Sequence, residues 1–139
     1  MPSAYAHYRF GRQVCPLLDS AGQRTILSRP EPFLIGLHGP DIFFYHHPLG
    51  SSAVKQMGHR MHAESAEAFF RPAADRLALH LDRQAGLSYL YGFLCHFALD
   101  SVCHPYVEAQ VKRTRFAHME LEAEFDRILM IHDGLNPLS

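Results

Sequence analysis

Residues 93–104 read FLCHFALDSVCH, and residues 118–122 read HMELE. The first stretch sets His96, Asp100 and His104 at successive steps of four, and the second sets His118 and Glu122 four apart. Steps of four keep side chains on one side of a helix. At about 100° per residue, Asp100 lies about 40° from His96 and His104 about 80° from it, so all three share one face. Imidazoles and carboxylates offered together from one face suit a zinc ion. Burying them with no counter-cation would cost on the order of several kcal/mol per charge, which a divalent ion relieves. Two neighbouring helices carrying a multinuclear metal site are therefore expected.

Outward from these helices the pattern is mostly helical. A first helix fits residues 4–19, with Tyr5, Tyr8, Val14, Leu17 and Leu18 as its apolar positions. Residues 20–50 hold Pro30, Pro32, Gly36, Gly39, Pro40, Pro48 and Gly50 and read as an ordered loop. Within that loop FLIGLHGPDIFFYHHP is too apolar for a solvated linker and is expected to pack on the helices. Ser51 or Ser52 would cap a helix over 53–70, with Val54, Met57, Met61, Ala66, Phe69 and Phe70 turned inward. Pro72 would break it before a further helix over 73–84. Gly86 then precedes a long apolar helix to about residue 111 that holds Pro105. A last helix spans about 115–132, with Phe116, Met119, Leu121, Phe125, Ile128 and Leu129 apolar and Gly134 as its C-terminal glycine. The expected fold is all-α: one domain over 1–139, a bundle of about five helices with a long ordered loop after the first.

Composition narrows the function classes. A formal charge of −1 with no basic run gives no positive surface for nucleic acid. No apolar run reaches bilayer length, because Ser88, Gly92 and His96 interrupt the longest. The opening MPSAYAHYRFGRQ is too polar for a secretion signal. Cys15, Cys95 and Cys103 form an odd set without framework spacing, so reduced thiols and a cytoplasmic protein are expected. Cys95 and Cys103 lack CxxC spacing and read as small buried side chains. Met57, Met61 and the Phe residues could serve a homo-oligomer as well as a core.

Other positions can add metal ligands. Asp41 follows a Gly-Pro turn in GLHGPDIFFY, as a turn residue or as a ligand. His59 and His62 in GHRMHAE lie three apart, as a surface pair or as a source of one ligand. His62 lies nearer the apolar phase, beside Met61, and is preferred, with His59 the alternative. His7 lies near the start, in AHYRFG. His38, His46, His47, His80 and His132 have no partnered spacing and are read as solvent or loop residues. His132–Asp133 is an HD dipeptide, but an HD-type phosphohydrolase orders its ligands differently.

The order His7, Asp41, a histidine of GHRMH, HxxxD at 96–100, His104 and HxxxE at 118–122 resembles the ligand order of the zinc-dependent phospholipase C family, which is related to P1-type nucleases. The resemblance runs from residue 7 to 122. It implies an all-α bundle with a zinc cleft of two or three ions. One ion would take Asp41, His62, His96 and Asp100, and a second His104, His118 and Glu122. A third would take His7 and share Asp100 as a bridging carboxylate. The implied activity is phosphoric-ester hydrolysis by zinc-activated water, with Asp41 binding zinc and orienting or deprotonating that water. The implied substrate is a phosphoester, such as a phospholipid head group or a small phosphodiester. Ile42 follows Asp41 where the choline-binding enzymes have an aromatic residue, so choline selectivity is not implied. Two other readings remain: a nuclease or nucleotidase, with Phe43, Phe44 and Tyr45 as a weak base-stacking platform, and a metal-stabilised interaction module without turnover.

Overall fold

The computed structural model describes residues 4–46 and 50–138. Among these the fold is all-α, as expected, with more and shorter helices than the sequence pattern suggests. The elements are α1 (Ala4–Val14), a 3-10 turn (Cys15–Leu17), α2 (Ser20–Ser28), α3 (Pro30–Gly36), a second 3-10 segment (Gly39–Tyr45), α4 (Ala53–Ala63), α5 (Ala66–Ala78), α6 (Arg83–Arg113) and α7 (His118–His132).

The largest departure lies in residues 20–50, which the Gly and Pro content marks as loop. Residues 20–28 and 30–36 are helical instead. Asp19 caps α2 by accepting the Gly22 N–H at 2.8 Å. Pro30 opens α3, in the first turn where a missing N–H costs no intrahelical bond. Gly36 on α3 and Gly92 on α6 face each other so closely that a Cβ on either would strike backbone atoms of the other helix. The residues that look like breakers are thus a helix start and a helix crossing. His47 and Pro48 lie outside the described residues.

The expected helix over 53–70 is two helices. Ser52, one of the two expected caps, accepts the Lys55 N–H at 3.2 Å. The helix stops at Ala63 because Glu64 and Ser65 are both extended, with ψ of 161° and 150°. Pro72 sits inside α5 rather than ending a helix, and the residues expected to form a separate helix over 73–84 are divided. The first six complete α5, Asp82 caps α6 through the Ala85 N–H at 3.0 Å, and α6 starts at Arg83, before Gly86. Pro105 lies within α6. The first helix ends at Val14 and passes into the 3-10 turn. Gly134, with φ of 76°, closes α7 as anticipated, and the Leu135 N–H reaches back to the Met130 carbonyl at 2.8 Å.

The core has two parts, one on each side of α6. Ile26, Phe33, Leu37 and Cys95 form the first, with Phe10, Val14, Cys15, Leu18 and Tyr91 packed on it. Phe93 carries the second: Phe69 stacks on it at 3.9 Å and Phe70 meets it edge-on, so both α5 phenylalanines turn inward as expected. Met57 does not, being exposed. Apolar residues of α7 are also only partly covered, with Met119, Phe125 and Ile128 exposed, as is Phe116 just before the helix. None of the described helices is long and apolar enough to cross a membrane.

Candidate metal centre

The fold gathers side chains from five elements around Asp100. Helix α1 supplies His7, the second 3-10 segment Asp41, α4 His62, α6 His96, Asp100 and His104, and α7 His118 and Glu122. These are the eight positions picked out in the sequence. They form three groups able to hold a metal ion: His7, His96 and Asp100; Asp41, His62 and His96; and His104, His118 and Glu122.

Asp100 links the groups. Its Oδ1 lies 3.2 Å from His7 Nε2. Its Oδ2 lies 3.2 Å from His96 Nε2, 3.5 Å from His104 Nε2 and 3.9 Å from His62 Nε2. One carboxylate oxygen thus faces α1 and the other faces the imidazoles of His96, His104 and His62, the arrangement a bridging carboxylate needs. On α7, Glu122 Oε1 lies 2.8 Å from His118 Nε2 and 3.9 Å from His104 Nε2.

Backbone carbonyls orient two of the rings. His96 Nδ1–H donates to the Leu37 carbonyl at 3.1 Å, and His62 Nδ1–H donates to the Gly58 carbonyl at 2.8 Å. A carbonyl only accepts, so each Nδ1 carries the proton and each Nε2 is left with a lone pair aimed at the carboxylates. Outer partners of this kind fix tautomer and ring direction in metal-bound histidines. His62 Nε2 sits 2.8 Å from Asp41 Oδ1, and His96 Nε2 sits 3.6 Å from Asp41 Oδ2. Lone pairs facing carboxylate oxygens at these distances repel unless a proton or a cation lies between them. His7 Nδ1, Asp41 Oδ2 and His96 Nε2 are buried with no hydrogen-bond partner among the described residues. Such orphans are rare in native folds, and the last two converge where a cation would satisfy both. The donor set therefore fits zinc.

The same compensation by charge sets the protonation of Asp100 and His62. Burial pushes the Asp100 carboxyl up, but the imidazoles of His96 and His7 beside it outweigh burial and hold it far below the usual carboxylate range. Burial works against a proton on His62, yet Asp41 and the Gly58 carbonyl more than offset it and raise its pKa.

His96 is only 2% exposed and stacks on His7 with ring centroids 4.1 Å apart. Gly39 makes room for it. With φ of 52° this residue turns the chain over the His96 ring, which a Cβ would strike. Of the GHRMH pair, His62 enters the metal-competent groups, while His59 is exposed and rests against the Phe44 ring at 4.8 Å. His38, His46, His80 and His132 stand outside these groups. Sequence reasoning does not identify the Leu37 and Gly58 carbonyls, since backbone acceptors leave no mark in residue types. It also passes over Asp126, four residues after Glu122, which holds the start of α1.

Two cavities border the centre. One, of about 380 Å³, runs between α1, α6 and α7 and is lined by Leu99, Cys103, Val107, Leu121 and Phe125, with His7, Asp100, His104 and Glu122 also in its wall. The other, of about 160 Å³, is lined by His62, His96, Asp100, Ser101 and His104 together with Met61 and Phe97.

A family model described as zinc dependent phospholipase C matches residues 6–137. Neither a curated protein nor a solved structure matches the chain.

Proposed function

Because the chain belongs to the zinc-dependent phospholipase C family, we propose that it is a metal-dependent phosphoric-ester hydrolase acting on an amphiphilic phosphoester, a phospholipid head group or a small phosphodiester. The observation that carries this reading is the convergence of three metal-competent groups on the two oxygens of Asp100. Asp41, His62 and His96, with Asp100 Oδ2, would hold one zinc ion. His104, His118 and Glu122 would hold a second, and His7 with Asp100 Oδ1 a third. His96 Nε2 has one lone pair, its Nδ1 being committed to Leu37, so it serves one ion although it lies within reach of two groups. When bound, zinc supplies Lewis acidity toward phosphoryl oxygens and lowers the pKa of a coordinated water to about 7.

The chain's own residues do the rest. Asp100 stays ionised to well below the usual carboxylate range and borders both cavities, so it is placed to orient the attacking water by accepting its hydrogen bond. Asp41 is 3% exposed, and its burial favours ligation over handling the water's proton. The apolar wall of the larger cavity would take the hydrocarbon part of the substrate and exclude bulk water beside the reacting phosphorus.

This cavity favours a lipid-like ester over a nucleotide. The aromatic run that a nuclease would use for stacking is partly engaged elsewhere, since Phe44 packs between His59 and His62. Cavities that reach the metal-competent groups also favour catalysis over a closed structural site. The test is zinc content per chain by elemental analysis, followed by hydrolysis of phospholipid, small phosphodiester and nucleic acid side by side. Two or three ions with release of a phosphorylated head group are expected. A protein that takes up no zinc, or a loaded protein that cleaves nucleic acid and leaves lipid intact, would overturn the reading.

A further inference from the structure

The eight clustered residues are not equally well oriented. His62 and His96 are each held by a carbonyl at Nδ1, whereas Nδ1 of His7 has no partner. The direction of the His7 ring therefore depends on its stack against His96 and on where the backbone of α1 sits. That backbone is held from the far end of the sequence. Asp126 on α7 accepts the Tyr5 N–H at Oδ2, 2.9 Å, and the Ala6 N–H at Oδ1, 2.8 Å. These are first-turn donors that no residue of their own helix satisfies, and a carboxylate suits the partial positive charge of a helix start. His7 is the next residue.

A second strap lies seven residues further on, at Asp133, the residue that caps the end of α7. Asp133 accepts from Arg9 Nε at 2.6 Å, from Arg9 Nη2 at 3.1 Å and from the Tyr5 hydroxyl at 2.8 Å. Glu122 and Asp126 fall four residues apart and so share one side of α7, and Asp133, seven residues after Asp126, leaves the helix end on that side. The same helix side that offers Glu122 to the centre thus clamps the helix that carries His7.

We infer that Asp126 is a positioning residue: it seats the first turn of α1 on α7 so that His7 Nε2 meets Asp100 Oδ1, and without it the His7 group loses its ion. The inference rests on the proposed role of His7 as a zinc ligand. Asp126 itself reaches no metal-competent group, so its effect is on one ion and not on all.

The experiment is zinc stoichiometry and affinity, by elemental analysis and titration calorimetry, on the full chain and its variants. Asp126→Ala is expected to bind one zinc fewer than the wild type, His7→Ala likewise one fewer, and the double variant no fewer than either single one. Asp126→Asn keeps one acceptor oxygen, so it is expected to keep that ion with affinity reduced about tenfold, a typical cost of losing an outer partner. It also decides the matter if the alanine variant does not fold. Asp82→Ala, which removes the α6 cap and a partner of Arg29, is expected to lower the melting temperature without changing the zinc count. That separates positioning from general stability. Folded Asp126 variants that bind the wild-type number of ions at wild-type affinity would overturn the inference and leave the function standing. A wild-type protein that binds no zinc would overturn both.

Discussion

The group around His96 and the group around His118 use the same residue types in different surroundings. Asp41, His62 and His96 come from three separate elements. His96 is 2% exposed, and two carbonyls hold the rings. His104, His118 and Glu122 come from two successive helices, and the side chains of His104 and His118 are 36% and 38% exposed. No carbonyl orients either ring among the hydrogen bonds of the described residues. The first group is assembled by tertiary packing, with Asp41 and His96 buried and His62 at its exposed edge. The second follows largely from helical spacing and opens onto the larger cavity. An ion in the first should be held tightly and arranged by the fold, and an ion in the second should exchange more readily and meet substrate.

The largest effect should come from breaking the first group at its buried centre. His96→Ala removes a side chain shared by two metal-competent groups and the ring on which His7 stacks, so activity is expected to fall to background with loss of more than one zinc per chain. Metal analysis and a phosphodiester assay on the same sample check this. Gly39→Ala attacks the same ring from outside. A side chain at φ of 52° is strained and would strike His96, so destabilisation of about 1–3 kcal/mol and weaker zinc binding are expected in denaturant melts and zinc titration. His118→Ala bears on the open group. It should cost one ion and most activity while leaving the melting temperature of the metal-free chain nearly unchanged, because the ring is over a third exposed.

Acidity sharpens the contrast further. In the metal-free chain the His62 pKa is raised above 6.5, so its contribution to stability is complete below that value and is lost as pH rises through the folded pKa. The Asp100 pKa is lowered below 3.8, so its contribution is present above that value and is lost as pH falls toward the folded pKa. Both contributions hold between 3.8 and 6.5. The melting temperature of metal-free protein should therefore fall from about pH 6 to pH 8. Zinc should reverse that fall, and its affinity should weaken on acidification because it competes with protons for the imidazoles. Melts at several pH values with and without zinc measure both. The smallest effect belongs to His59→Ala: removing an exposed ring that rests on Phe44, outside the metal-competent groups, should leave zinc count and activity at wild-type values.

Legibility followed the same division. HxxxDxxxH and HxxxE were readable because their spacing alone puts them on helix faces, and α6 and α7 are helical throughout both motifs. Asp41 and His7 could be named only through their order along the chain, since nothing local marks them as ligands. The three-residue spacing of His59 and His62 left both eligible, and it is the turn of α4 against the second 3-10 segment that brings His62 to Asp41. Residues 20–36 misled because glycine and proline carry one meaning locally and another in packing. Pro30 starts a helix there, and Gly36 admits one against Gly92.

The sequence by itself determined the all-α class, the face shared by His96, Asp100 and His104, the pairing of His118 with Glu122, and the ligand order of the family. Periodicity and composition are properties of the chain and survive without a fold. Only the tertiary structure decided that Asp100 presents one oxygen to α1 and the other to three imidazoles. It alone decided that the Leu37 and Gly58 carbonyls set the tautomers of His96 and His62, and that Asp126 holds a helix start about 120 residues away in sequence. Each of these rests on a backbone group or a distant partner, and the positions of such groups are fixed by packing rather than by the identity of any neighbour in the chain.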